Sequence, residues 1–300
     1  MKAVKRYPVR KHRTRMWKYG VVAFVVFLVS VVVLTLLFPQ PPPPYHPELG
    51  TFYFKAAIVD EESLTYPDPA FVQNATTTLQ NAGFTVDYIP GANVTVDFYK
   101  NLPTHDYGII ILRVHSGILN ASTGWVSMAT CENYSAQKYV WEQLDDELLC
   151  FQLSTGDVFS LGPNFKMNGH FENTIIIMMG CHGIYAFPFL YSNALPGMFV
   201  SYGAKAYIGW NGGINAITDD DAVEQLLQYL IVRRTTIGEA VGSIPSDPVT
   251  GSVQLTEYPQ RSELSFVIPQ ESPQNNPTSG MTGTTMYVND ALLQNDKSRA

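Results

Sequence analysis

YGIIILRV at residues 107–114 and TIIIMM at residues 174–179 decide the fold. Each is an unbroken, largely β-branched apolar run without the in-and-out alternation of a strand that has one wet face. Such runs mark strands buried on both faces of a parallel sheet. Working outward, residues 53–59 (YFKAAIV), 84–89 and 204–209 read as further strands, and residues 265–268 as the one that closes the series. Between them the spacing predicts helices over 69–81, ended by Gly83, over 94–102 and over 195–202. A last helix over 219–233 is capped by Thr218, with acids in its first turn and Arg233 and Arg234 at its end, matching the helix dipole. Alternating strands and helices predict an α/β fold with a mainly parallel central sheet. The alternation fails between 116 and 171, where 148–153 and 158–161 read as a hairpin. Residues 118–171 are therefore expected to be an insertion above the sheet.

The flanks are of a different kind. Residues 19–38 (YGVVAFVVFLVSVVVLTLLF) carry no charge, and twenty helical residues match the roughly 30 Å of a bilayer core. Eight Lys/Arg precede this run and no acid does, which predicts a signal anchor with residues 1–18 in the cytoplasm and the rest outside. No small-residue cleavage site follows, so a cleaved signal peptide fits less well. Residues 39–49 form a stiff Pro-rich linker, 50–269 the folded domain, and 270–300 a flexible tail in which residues 286–293 (MYVNDALL) read as a short docking helix. Beyond the anchor, the other 11 of the 19 Lys/Arg face all 26 Asp/Glu. So acidic a body does not neutralise phosphates, which excludes nucleic acid as the partner.

An outer location agrees with sequons at Asn74, Asn93, Asn120 and Asn133, all beyond the anchor. It also permits a Cys131–Cys150 disulfide, the alternative being two buried free thiols.

Two of the buried strands end in reactive side chains: His115-Ser116-Gly117 after the first, Cys181-His182-Gly183 after the second. Sites in open α/β sheets form beyond the carboxyl ends of the strands. If these strands are neighbours, Cys181 is a nucleophile and His115 its general base, with the Gly117 and Cys181 amides as oxyanion donors. His182 is a competing imidazole beside the thiol. The plainer reading is that the cysteine fills the core and the histidines are structural. Histidines without ligand spacing, and the absence of Cys-x-x-Cys and His-Glu-x-x-His, leave no metal site or cofactor to expect; Asp219-Asp220-Asp221 is explained by the helix dipole.

An apolar strand ending in His115-Ser116-Gly117, then a later one ending in Gly180-Cys181-His182-Gly183, resembles the caspase-like clan of cysteine peptidases. The closest pattern is that of gingipains and CHAT-domain peptidases. Residues 202–210, the helix after them and Ile237-Gly238-Glu239-Ala240-Val241 extend the likeness over about residues 52–268. Two departures stand out: Ser116 separates His115 from the glycine, and Gly180 replaces the usual alanine before the nucleophile. The resemblance implies a caspase-like three-layer sandwich and a cysteine endopeptidase acting on polypeptides. Joined to the anchor read from residues 19–38, it gives a single-pass protein whose sandwich, preceded by one transmembrane helix, faces outward at the cell surface. In that reading Trp210 walls the primary specificity pocket and Asp60, at the end of the first strand, forms its floor and favours Arg or Lys. Glu61 and Glu62 read as a solvated turn. The alternative function is a catalytically inactive caspase-like domain that serves as a surface binding or structural protein.

Overall fold

The structure, a computed structural model, describes residues 24, 27–29, 51–120, 124–185, 194–260, 262–265 and 286–287. The chain divides into Met1–His46 and Pro47–Ala300. In the first unit Phe24 and residues 27–29 are helical and exposed, and the rest of the expected anchor lies outside the described residues. Among the described residues no helix is long and apolar enough to cross a membrane.

The second unit opens with β1 (Thr51–Phe52), β2 (Lys55–Asp60), α1 (Pro69–Asn81), β3 (Thr85–Pro90), α2 (Val96–Asn101) and β4 (Ile109–Arg113). Next come β5 (Ser116–Asn120), β6 (Trp125–Asn133), α3 (Val140–Leu144), β7 (Leu148–Leu153) and β8 (Gly156–Leu161). The chain continues through β9 (Ile175–Met179), α4 (Ala194–Ser201), β10 (Ala206–Trp210), α5 (Ala216–Leu227), α6 (Ile237–Gly242), β11 (Leu255–Tyr258) and β12 (Met286–Tyr287). The central sheet runs β11-β10-β9-β4-β2-β3, parallel throughout except for β11. Both decisive runs are its middle strands, and every residue of β4 and β9 is buried.

Strand alternation sends the two faces of the sheet into different layers. Ala57, Val59, Ile110, Leu112, Ile176 and Met178 join Val126, Met128, Phe159, Leu161 and Phe199 in one core beneath the inserted segment and α4. Ile58, Ile109, Ile111, Ile175 and Ile177 face the other way, toward α1 and α5. The insertion is a second, antiparallel sheet of order β5-β6-β8-β7, and the expected hairpin is β7–β8. Local signals account for the helix ends: Asp68 caps α1 through the amides of Ala70 and Phe71, and Gly83 stands after its end at φ +93°.

Three expectations are corrected. The helix assigned to 219–233 begins earlier, at Ala216, because Asn215 rather than Thr218 accepts the N-terminal amide, and it ends in a π-helical turn over Gln228–Val232. The closing strand is β11, whose LTEY sequence is half-exposed at a sheet edge and shows no apolar run. Ser265 makes only a single bridge to Thr236, and residues 266–268 lie outside the described part. Met286–Tyr287, expected to start a helix, pairs antiparallel with β1; residues 288–293 lie outside the described part.

Candidate active site

β4 and β9 are neighbours in register, with Arg113 opposite Met179, and the Val114 amide extends the ladder to the Met179 carbonyl at 3.1 Å. His115 and Cys181 each lie two residues past that last pair, so they leave adjacent strands at one level of the carboxyl edge. Both line a cleft of ≈ 250 Å³ together with Glu62, Tyr66, Ser116, Gly180, Ile214, Asn215 and Asp219. The order of the strands also puts β2 beside β4, with Asp60 opposite Arg113, so Glu61 and Glu62 emerge next to His115.

That neighbour supplies a residue the sequence reading misplaced. Glu61 is 1% exposed, not solvated, and its Oε2 accepts from the His115 amide at 2.7 Å and meets Nδ1 at 2.8 Å. The contact makes Nδ1 the donor and leaves Nε2 to exchange a proton. Burial alone would lower the imidazole pKa. The hydrogen bond and charge of Glu61, with Glu62 Oε1 at 3.8 Å, outweigh it and the net shift is upward. The Tyr66 ring packs 5.8 Å from the imidazole, centroid to centroid.

Cys181 is held from two sides. The Ile214 amide donates to Sγ, the thiol donates to the Ile214 carbonyl, both at 3.4 Å, and Ser116 Oγ donates to the Cys181 carbonyl at 2.6 Å. Burial pushes the thiol pKa up, the Ile214 contact opposes it, and Asp219 and Glu62 add to the rise. At rest the sulfur is therefore a neutral thiol that must lose its proton during attack. His182, the competing imidazole, is not among the residues lining the cleft. It is held at φ +61° with its amide on the Gly212 carbonyl, and burial lowers its pKa.

The two departures from the peptidase pattern are sterically linked. A Cβ on Gly180 would stand 2.5 Å from Ser116 Oγ and 2.6 Å from the Val114 carbonyl oxygen. The serine side chain thus fills part of the space an alanine at 180 would use. Ser116 also changes the oxyanion assignment. The Ala129 amide donates to the His115 carbonyl at 2.8 Å, while the His115 amide goes to Glu61. With the β5–β6 register, that bond makes Ser116·Met128 a non-bonded pair and Gly117·Ser127 a hydrogen-bonded one. The ladder therefore takes the Gly117 N–H, while the Ser116 N–H faces away from β6 at the open edge of that sheet.

Both substrate-pocket assignments fail. Asp60 is 1% exposed, takes Arg113 Nη1 at 3.0 Å and the Tyr88 hydroxyl at 3.0 Å, and does not line the cleft. It belongs to a buried ion cluster in which Arg113 forks onto Asp220 at 2.7 and 2.8 Å and approaches Glu62 at 3.7 Å. Trp210 is wholly buried in β10, and its Nε1 donates to Asp219 Oδ1 at 2.7 Å. It holds a cleft residue from behind rather than forming a wall. Asp219 and Asp220 thus have specific partners beyond the helix dipole.

The disulfide is absent too, since Cys131, Cys150 and Cys181 are all free. Cys131 lies on β6 and Cys150 on β7, and β8 runs between them, which keeps the two backbones about two strand spacings (~10 Å) apart. Asn74, Asn93 and Asn133 are exposed, as a glycan acceptor must be, and Asn120 ends β5. Among the described residues no group of three His, Cys, Asp or Glu is placed to hold a metal ion. No protein-family model matches the chain, and no curated protein does either.

Proposed function

We propose that this protein is a membrane-anchored, outward-facing cysteine endopeptidase of the caspase-like type. The observation that carries the reading is the meeting of His115 and Cys181 in one cleft at the carboxyl edge of adjacent parallel strands, with the imidazole fixed by buried Glu61. As the thiol attacks a peptide carbonyl, its proton passes to His115 Nε2 and an S–C bond forms. The oxyanion is met by the amides of Ser116 and Cys181. Its collapse expels the amine, which takes the proton from His115. Water, deprotonated by the same ring, then releases the acid and restores the thiol. Glu62 and Asp219 give the cleft two carboxyl groups, and apart from His115 its lining has no basic side chain. An Arg or Lys side chain therefore suits it as the residue before the scissile bond, and an acidic one does not.

The test is incubation of the full chain, in detergent, with a fluorescent acyloxymethyl ketone bearing Arg, Asn or Asp. Labelling by the Arg probe that disappears in Cys181→Ala and falls steeply in His115→Ala supports the reading. No labelling of the native chain by any probe, at any pH from 5 to 9, refutes it. The second reading, a catalytically silent surface domain, is favoured by one observation: the thiol pKa is raised rather than lowered.

A further inference from the structure

Glu61 has a second neighbour besides His115. On its far side stands Cys131, from the C-terminal part of β6, whose Sγ donates to the Glu61 main-chain carbonyl at 3.4 Å and lies 3.9 Å from Oε1. The thiol cannot swing away easily. The Cys131 amide is fixed to the Val94 carbonyl at 2.8 Å, and Gly91 packs so closely that a Cβ there would come within 3.0 Å of the sulfur. Burial, with Glu61 and Asp60 nearby, pushes the Cys131 pKa up to about 12, so it remains an S–H donor and a poor nucleophile throughout the neutral range. The two oxygens of one buried carboxylate are thus approached from opposite sides, by an imidazole on Oε2 and a thiol beside Oε1.

A void explains why this second contact matters. A cavity of ≈ 180 Å³ lies on the thiol's side of Glu61, bounded by Leu64, Thr65, Asn133, Thr155 and Val158. Both Glu61 and Cys131 line it, so in Cys131→Ala the enlarged space is expected to admit water to Oε1 and to let Glu61 turn away from His115. Nearby Tyr99 does not share the role in the native site, since its buried hydroxyl has no hydrogen-bond partner among the described residues. We propose that Cys131 is a positioning residue of the dyad, whose S–H, shared between the main-chain carbonyl and Oε1 of Glu61, holds that residue and, through it, the orientation of the His115 ring. The inference rests on the peptidase reading only for its kinetic consequence, since the Cys131–Glu61–His115 chain exists whether or not the protein is an enzyme.

The experiment follows the His115 imidazole directly. The full chain carrying 13C-labelled histidine is titrated by NMR, the His115 signal being assigned with His115→Asn. The charged groups facing that ring are Glu61 and Glu62 from the turn after β2 and Arg113 from β4, and all are unchanged in Cys131→Ala and Cys131→Ser. Cys131→Ala is expected to move the His115 titration to lower pH, because a released Glu61 no longer favours the imidazolium. Cys131→Ser, which restores a donor, is expected to return it toward the native position. In a Glu61→Gln background Cys131→Ala is expected to change nothing further, the non-additive result of residues acting in one chain. An unmoved titration in Cys131→Ala, or full additivity with Glu61→Gln, overturns the proposal. Where the native chain hydrolyses a peptide, kcat should fall about tenfold in Cys131→Ala with KM unchanged. Where it hydrolyses none, the titration still decides, so failure of the peptidase reading is read separately.

Discussion

Replacing Arg113 by Met tests whether one buried cation holds the site together. The side chain is 1% exposed, forks onto Asp220, meets Asp60 at 3.0 Å, and lies over the Phe71 ring at 5.9 Å. Methionine keeps much of the volume and the contact with Phe71 but leaves Asp60 and Asp220 buried without their counter-charge. Removing one partner of a buried pair costs roughly 3–5 kcal/mol, chiefly through the charge left behind. With a urea m-value of about 2–3 kcal/mol/M, the midpoint should fall by ~1–2.5 M. The loss should depend on pH in a defined direction. Stranded carboxyl groups take up protons more readily folded than unfolded, so in the variant stability falls as pH rises from the ordinary carboxylate range. Urea titrations of the native and Arg113→Met chains at pH 5 and pH 8 measure both effects. A variant as stable as the native chain at pH 8, or one whose deficit is larger at pH 5, refutes the reasoning.

Two further outcomes follow from the cleft. Burial raises the Glu62 pKa to about 7, with Glu61 and Asp220 adding to the rise against His115 and Arg113, so its charge appears only as pH passes neutrality. Preference for Arg over Asn before the scissile bond should therefore grow from pH 6 to pH 8, and Glu62→Gln should flatten that dependence in a peptide-library profile. Gly180→Ala should destabilise by about 1–3 kcal/mol through overpacking. Adding Ser116→Gly should recover only part of this in thermal melts, since the Val114 carbonyl still stands 2.6 Å from the new methyl.

The parts of this molecule written in local pattern were legible from sequence. The runs at β4 and β9 announce a doubly covered parallel sheet, and the helix expected over 69–81 before Gly83 is α1 to the residue. His115 and Cys181 could be nominated because each follows such a run. What escaped was non-local. DEE at the end of β2 has the composition of a wet turn, and only the arrival of Arg113 on the adjacent strand and His115 just past it makes Asp60 and Glu61 interior. Three consecutive aspartates at 219–221 look like a helix cap. A start of α5 three residues earlier turns the first toward Trp210 and the second toward Arg113. One signal was available in hindsight: an arginine inside an otherwise apolar buried strand requires carboxylates from its neighbours.

Charge connects these details to the proposed chemistry. Four carboxyl groups, Asp60, Glu62, Asp219 and Asp220, surround a single guanidinium, while Glu61 is committed to His115. Burial first, and then the neighbouring carboxylates, push up the pKa of Asp219, Glu62 and the Cys181 thiol. The negative potential of the carboxylates keeps His115 basic, because an imidazolium there is flanked by Glu61 and Glu62. A resting site built this way protects a neutral thiol and prepares its base, the reverse of a preformed thiolate–imidazolium pair. On the peptidase reading, a substrate cation entering beside Glu62 and Asp219 cancels part of that potential. The thiol pKa then falls as the scissile carbonyl arrives, and activation of the sulfur is coupled to occupation of the specificity pocket.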